Sequence, residues 1–273
     1  MRLLRVAVCL LGASCASLLS ASLLPILHLD PKTLQAYQDY VAKFDKETAA
    51  PYYESGRMWM DTSGCCSKGS SELTATPLVE PRYNAEIPGG SVHHFSGVLH
   101  IPGATIEDVR HIMEDYPNYS KYYKGDLSRA TATPQPDSTP ADEHFRAEIT
   151  ITQSTVWMSV TYNTIYDTHY RRLSPDRWIS RSATISSQEW RDPKNEAAGL
   201  YADGEDHGLL WRANTYWFVR TSGDGIDVEA DSISLSRPVP TGFGWWGVKR
   251  SKDAVSKMLL DMKAAIAAQH RVS

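Results

Sequence analysis

On either side of Gly223-Asp224, apolar and polar residues alternate over two long runs, with the two-residue period of half-buried strands. Gly-Asp between such runs predicts a tight hairpin turn. With Ser222 opposite Gly225, the register pairs Val219 with Val228, Trp217 with Ala230, Thr215 with Ser232 and Ala213 with Ser234. The other face then pairs Phe218 with Glu229, Tyr216 with Asp231 and Asn214 with Ile233, because directly opposed residues share a face. The first face carries mostly small side chains, Trp217 excepted. It is expected to point inward, leaving room for a helix or a ligand.

The rest of the chain follows from the same periodicities. Asp30-Pro31 starts a helix, with Leu34, Tyr37, Val41 and Phe44 on one face; it should end near Thr48, before Pro51. Residues 49–90 read as irregular, with Trp59 as a packing anchor. A strand over residues 92–101 stops at Pro102-Gly103. Thr105 then caps a helix over 106–114, whose apolar face is Ile106, Val109, Ile112 and Met113. Asp115-Tyr116-Pro117 ends it, and a short helix or turn over 118–123 carries Tyr119, Tyr122 and Tyr123. Strands are expected at about 126–133, 143–153, 156–169 and 176–188, then a polar loop and the hairpin. A last helix spans about 245–269, with Val255, Met258, Leu259, Met262, Ala265 and Ile266 on one stripe. Strands gathered into an antiparallel sheet with helices on one face give an α+β architecture.

The first residues have another character. Arg2 and Arg5 precede a short apolar run and then small residues to about Ser22, the pattern of a secretory signal peptide. A membrane anchor or a lipoprotein signal at Cys15 are the competing readings. The expected division is a signal peptide over 1–22, an N-terminal helical extension over 23–87 and the main domain over 88–273. A formal charge of −4, with no basic stripe, argues against a nucleic-acid partner. Adjacent Cys65 and Cys66 can close only a strained ring, so no disulfide framework is expected.

Two segments resemble a known superfamily. IPGATIEDVRHIMEDYPNYSKYY (101–123) and SISLSRPVPTGFGWW (232–246) are similar to the opening and the last strand of the START-like, helix-grip (SRPBCC) proteins. With EDHGLLWRANTYW (205–217), the chain looks like a secreted bacterial subgroup of them. The resemblance implies a curved antiparallel sheet of about seven strands around a long C-terminal helix, enclosing a cavity for a hydrophobic or amphipathic small molecule such as a lipid, a quinone or a polyketide-like compound. The superfamily includes lipid-transfer domains and polyketide cyclases, so a cyclase or hydratase is the alternative, and an envelope interaction module a third reading.

Candidate ligand contacts are Thr215, Trp217 and Ser232 on the small face. Arg212, Asn214 and Tyr216 would make a polar floor if the register were reversed. Arg181, amid apolar neighbours, needs Glu148 or an anionic ligand head as its partner. Tyr119, Tyr122, Tyr123 and Trp245-Trp246 suit a lipid-facing mouth and transient membrane contact. No nucleophile elbow, phosphate loop, HExxH or dinucleotide fingerprint occurs, so no catalytic residue, cofactor or metal ligand is expected. The acidic stretch Asp203, Glu205, Asp206 reads as a solvated loop rather than a calcium site, and His207 as capping the hairpin strand rather than pairing with Asp206 as a base.

Overall fold

A computed structural model of the chain describes residues 24–61, 70–125, 127–154, 159–238 and 244–271. The signal-peptide pattern, Cys65-Cys66, and Val156, Trp157 and Met158 lie outside these residues. The backbone of Trp245 and Trp246 falls in the last helix, but their side chains are not among those described.

Eight antiparallel strands form the main sheet: β2 (Leu78–Ile87), β3 (Gly90–Pro102), β4 (Leu127–Pro134), β5 (Asp142–Ser154), β6 (Ser159–Ser174), β7 (Arg177–Glu189), β9 (Arg212–Ser222) and β10 (Gly225–Ser236). Their spatial order is β2-β3-β10-β9-β7-β6-β5-β4, an open sheet rather than a closed barrel. Strands β1 (Leu27–His28) and β8 (Glu205–Asp206) form a separate pair. The β9–β10 register is the one the alternation predicts, from Ser222 opposite Gly225 to Ala213 opposite Ser234. Strand β2 brings the count to eight. It lies within residues 23–87, where the sequence suggests only helix and irregular chain, because Pro81 and Arg82 interrupt its alternation and its pairing with β3 shifts between Pro81 and Tyr83.

Each face of the sheet has its own cover. The C-terminal helix α6 (Gly244–Gln269) lays Val255, Leu259, Met262, Ala265 and Ile266 on the face carrying Phe95, Leu99, Trp217, Val219, Val228 and Ala230. Gly97 permits the close approach: a Cβ there would meet Val255 Cγ1 at 2.7 Å and Leu259 Cδ1 at 2.8 Å. Helix α4 (Ile106–Glu114) starts at the Thr105 cap that its sequence predicts, and Asp108 completes a reciprocal capping box. It leads through a 3₁₀ turn (Tyr116–Asn118) into the short α5 (Tyr119–Tyr122), and buries Val109, Ile112 and Met113 in the same core.

The opposite face is covered by the N-terminal extension. Helix α1 (Pro31–Phe44) begins where Asp30 accepts a hydrogen bond from the Lys32 N–H at 2.7 Å. It buries Tyr37, Val41 and Phe44 against Ile233, Leu235 and Tyr216. The helical path does not stop near Thr48. A π-helical turn (Asp45–Ala49) carries it into α2 (Ala50–Ser55), with Pro51 in the first turn of α2. Tyr52, Met58 and Met60 continue the same core, and the tiny helix α3 (Ser70–Ala75) adds Leu73. Among the described residues no helix is long and apolar enough to cross a membrane.

Candidate functional site

The sheet face beneath α6 can be followed in rows, because cross-strand partners share a face. The first row, Trp178–Val219–Val228–Leu99, is fully buried and apolar. The next, Tyr170–Ser180–Trp217–Ala230–Gly97, lies directly under α6 at its Gly97 end and is also buried. The third row changes character: Thr168–Ser182–Thr215–Ser232–Phe95. In the fourth, Tyr166 opposes Thr184, and Ala213 opposes Ser234, which opposes His93.

The outer members of rows three and four are buried. The middle members, Ser182, Thr215, Ser232, Thr184, Ala213 and Ser234, are only half-buried. The sheet face that carries α6 therefore has a half-buried, hydroxyl-bearing floor beside its apolar rows. Phe145, Ile149 and Ile151 on β5 extend its apolar wall, and Tyr116, Tyr119, Tyr123 and Tyr170 close the end under α4 and α5.

These tyrosines are neutral packing groups. Burial pushes the Tyr116 and Tyr166 hydroxyls up to about 12, and Tyr119 and Tyr170 also well up. Tyr116 and Tyr170 share a hydrogen bond of 2.5 Å, and Tyr170 donates to the Met113 carbonyl at 2.9 Å. In row three Thr168 donates to Ser182 Oγ at 3.0 Å. The Thr184 hydroxyl both accepts from Ala213 N–H at 2.8 Å and stands 2.6 Å from its carbonyl, replacing the strand ladder where β7 and β9 part. Ser180 Oγ, at the step from the apolar to the hydroxyl rows, is buried without a hydrogen-bond partner. A hydroxyl in that position costs on the order of 1–3 kcal/mol until something bonds to it.

An open antiparallel sheet, a strand leading into two short helices, and a long C-terminal helix packed on one sheet face complete the pattern. The fold is START-like. Structures similar to this START-like chain include the STAR-related lipid transfer protein of Xanthomonas axonopodis, with 15% identity and a TM-score of 0.45, spanning 69% of this chain and 98% of that one. Human STARD10 is similar at 12% identity and a TM-score of 0.43, over 69% of this chain and 73% of that one. The Zhui aromatase/cyclase from a Streptomyces species follows at 8% identity and a TM-score of 0.39, over 67% and 96%. At such identities these likenesses concern the fold and say nothing of what this chain binds. No protein-family model and no curated protein matches the sequence.

The structure sorts the seven predicted ligand contacts onto two faces. Thr215, Trp217 and Ser232 lie on the face that carries α6, Thr215 and Ser232 in its half-buried part and Trp217 buried beside it. The other four face the extension, because the regular register puts them on the far side of the sheet. Arg181 is not paired with Glu148 or left for a ligand. Its guanidinium reaches Asp45 Oδ2 at 3.2 Å, and Tyr216 donates to Asp45 Oδ1 at 2.6 Å. Burial works against the Arg181 charge, but Tyr216 and Asp45 outweigh it and hold the side chain protonated. Arg212 makes a two-pronged bond to Asp203 at 2.9 and 2.8 Å, and Asn214 Oδ1 accepts from the Tyr37 hydroxyl at 3.0 Å.

The acidic stretch is solvated in part: Asp203 and Glu205 are exposed, and Asp206 is not. Asp203 holds Arg212, and Asp206 is fully buried, accepting from Gly208 N–H at 2.6 Å. Burial raises the Asp206 carboxyl to about 6. His207 pairs with Glu189, not Asp206: Nδ1–H donates to Glu189 Oε1 at 2.6 Å, both side chains being buried. Sequence reasoning missed this pair because Glu189 lies 18 positions earlier, on another strand.

Sequence reasoning also missed the buried polar layer under the extension. Glu229 accepts from the Trp59 and Met60 N–H groups at 3.2 and 3.1 Å, and burial, then Asp231, pushes its carboxyl well up. Asp231 accepts from Ser96 and from His94 Nε2–H. Its alternation with apolar neighbours was the available signal, since carboxylates at buried register positions demand a polar cover.

Proposed function

We propose that this protein binds one hydrophobic or amphipathic small molecule, of lipid, quinone or polyketide-like character, on the sheet face that carries α6, between the helix and the hydroxyl rows. The observation that carries the reading is the half-buried floor of Ser182, Thr215, Ser232 and Ser234 set against apolar walls. Apolar surface supplies affinity, and a few placed hydroxyls supply orientation. Such a floor suits a neutral oxygenated ligand better than an anionic one, since Arg181 and Arg212 are committed to Asp45 and Asp203 on the other face. Ser180 supports the same reading as a buried hydroxyl able to bond a ligand oxygen. Binding outside the cytoplasm, in the periplasm or after secretion, is part of the proposal and rests on the N-terminal pattern of Arg2, Arg5 and the apolar run.

Native mass spectrometry of protein purified from its own cell envelope, followed by extraction of the bound material, tests this. One apolar molecule per chain is expected. Thr215→Trp should abolish its retention by filling the floor, while Ser180→Ala should weaken retention of an oxygenated ligand about five- to tenfold without destabilising the fold. A ligand-free chain that also fails to take up fluorescent fatty acids or quinones would overturn the proposal.

A second reading, acid–base chemistry on the same face, has one observation behind it. Glu189 opposes Tyr162 on β6 in continuation of the floor and holds a buried His207 by one ring nitrogen, an arrangement that leaves the other available as a base. Turnover of a bound ligand that stops in His207→Gln would favour it.

A further inference from the structure

On the face of the sheet away from α6, β5 and β6 bring together two histidines and three aspartates. His144 and His169 are direct cross-strand partners, and their rings stack with centroids 4.1 Å apart and planes 13° from parallel. Each ring is held from outside by its own carboxylate. His144 Nδ1 lies 2.6 Å from Asp137 Oδ1, and His169 Nδ1 lies 2.9 Å from Asp142 Oδ1. Both Nε2 atoms turn to one further carboxylate, Asp167: His144 Nε2 at 2.7 Å from Oδ1, and His169 Nε2 at 3.5 Å from Oδ2.

Carboxylate oxygens only accept hydrogen bonds, and a neutral imidazole carries a single N–H. Once Nδ1–H of each ring is given to its outer aspartate, each Nε2 presents a lone pair toward Asp167. Lone pairs 2.7 Å from a carboxylate oxygen repel unless a cation stands between them. A second proton on His144 alone would serve its 2.7 Å contact but leave His169 Nε2, 3.5 Å from Asp167, unserved. One divalent ion shared by both Nε2 atoms and Asp167 satisfies all three groups together. The outer aspartates match the way carboxylates orient metal-bound histidines and fix their tautomer.

We propose that His144, His169 and Asp167 bind a divalent first-row transition ion, zinc by preference, with Asp137 and Asp142 orienting the two rings. The three ligand atoms lie within 4.8 Å of one another. To share one ion the two rings must rotate out of their parallel stack so that both Nε2 lone pairs converge, with His144 Nε2 drawing back from its 2.7 Å contact to the roughly 3.3 Å spacing of neighbouring ligands around tetrahedral zinc. Two imidazoles and one carboxylate leave a fourth position for water, and they favour zinc, nickel or copper over magnesium or calcium. His144 and His169 keep 15% and 28% of their side-chain surface exposed, enough for an ion to reach them from solvent. The site is independent of the hydroxyl floor, since Phe145 and Thr168, the neighbours of these histidines in sequence, point to the other side.

The test uses the untagged full chain, with thiols alkylated and metal removed by chelation, titrated with zinc chloride by calorimetry and against a chromophoric zinc chelator. One zinc per chain is expected, together with a rise in Tm, because an ion bound only to the folded chain stabilises it. His144→Gln and His169→Gln should each weaken binding at least about tenfold, and Asp137→Asn or Asp142→Asn about tenfold through loss of ring orientation. In ¹⁵N spectra of the unsubstituted protein, the Nε2 resonances of both rings should move on zinc saturation. That readout stands even where a variant fails to fold. Absence of 1:1 binding, zinc affinity unchanged in both glutamine variants, or unmoved Nε2 resonances would overturn the proposal.

Discussion

Asp206 shows how one side chain couples folding to pH. Buried without a partner on Oδ2, its carboxyl is raised to about 6, so the folded chain holds a proton there that the unfolded chain has already lost. Stability must then fall as pH rises from about 4 to about 6, and the loss stays in place above that range. The full penalty is up to about 3 kcal/mol. Asp206→Asn keeps an acceptor for Gly208 N–H and removes the charge, so it should stabilise the protein at neutral pH and do little near pH 4. Urea denaturation at the two pH values measures the difference; an equal effect at both would show that the burial of charge is not its origin. His100 acts in the same direction by a different cause. Burial opposes its charge, but Asp227 at 2.9 Å and Asp224 at 3.1 Å win and raise its pKa, so its contribution is present in acid and lost as pH rises through that raised value.

At the level of elements, the close seat of α6 on β3 depends on one missing side chain. Gly97→Ala puts a methyl within 3 Å of Val255 and Leu259. It should lift the helix and cost about 1–3 kcal/mol, seen as a lower Tm with faster exchange of the α6 amides. A variant as stable as the parent would mean that the helix slides rather than packs. Local patterns made these elements legible. The hairpin register, the Thr105 cap of α4 and the α6 stripe all follow from periods and turn chemistry within a dozen residues. Strand β2 was not legible, because its pairing with β3 overrides a sequence broken by Pro81. The faces of Arg181, Arg212 and Tyr216 followed from the register once it was regular. Their partners did not, since Asp45 lies 136 residues from Arg181. Nor does anything in the spacing of His144, Asp167 and His169 announce a cluster that only the β5–β6 register assembles.

At the scale of the whole molecule, the N-terminal extension is an integral layer. It covers Glu229, Asp231, Asn214 and Tyr216, which are buried polar groups on the sheet face away from α6. Removing residues 24–61 takes the Trp59 and Met60 N–H groups from Glu229, Asp45 from Arg181, and Asp61 from Arg220. It also bares the apolar face of Ile179, Tyr216, Phe218, Ile233 and Leu235 that these residues cover, and losing that burial means that the truncated chain is expected to fail to fold, as judged by circular dichroism and size-exclusion chromatography. A folded, soluble truncation would mean that the sheet stands without its cover.

This second layer also bears on how a ligand could get in. Successive residues of β9 alternate between the two sides: Tyr216 is pinned to Asp45 while Thr215 and Trp217 face the floor. The sheet is thus clamped from behind along the strands that a guest would touch. A backboard held at Tyr37, Asp45 and Tyr52 cannot bow outward to widen the space in front of it. Opening must come from the front, by the helix or the tips of the strands swinging away, and the breathing of this molecule is that of a door hung on a fixed wall.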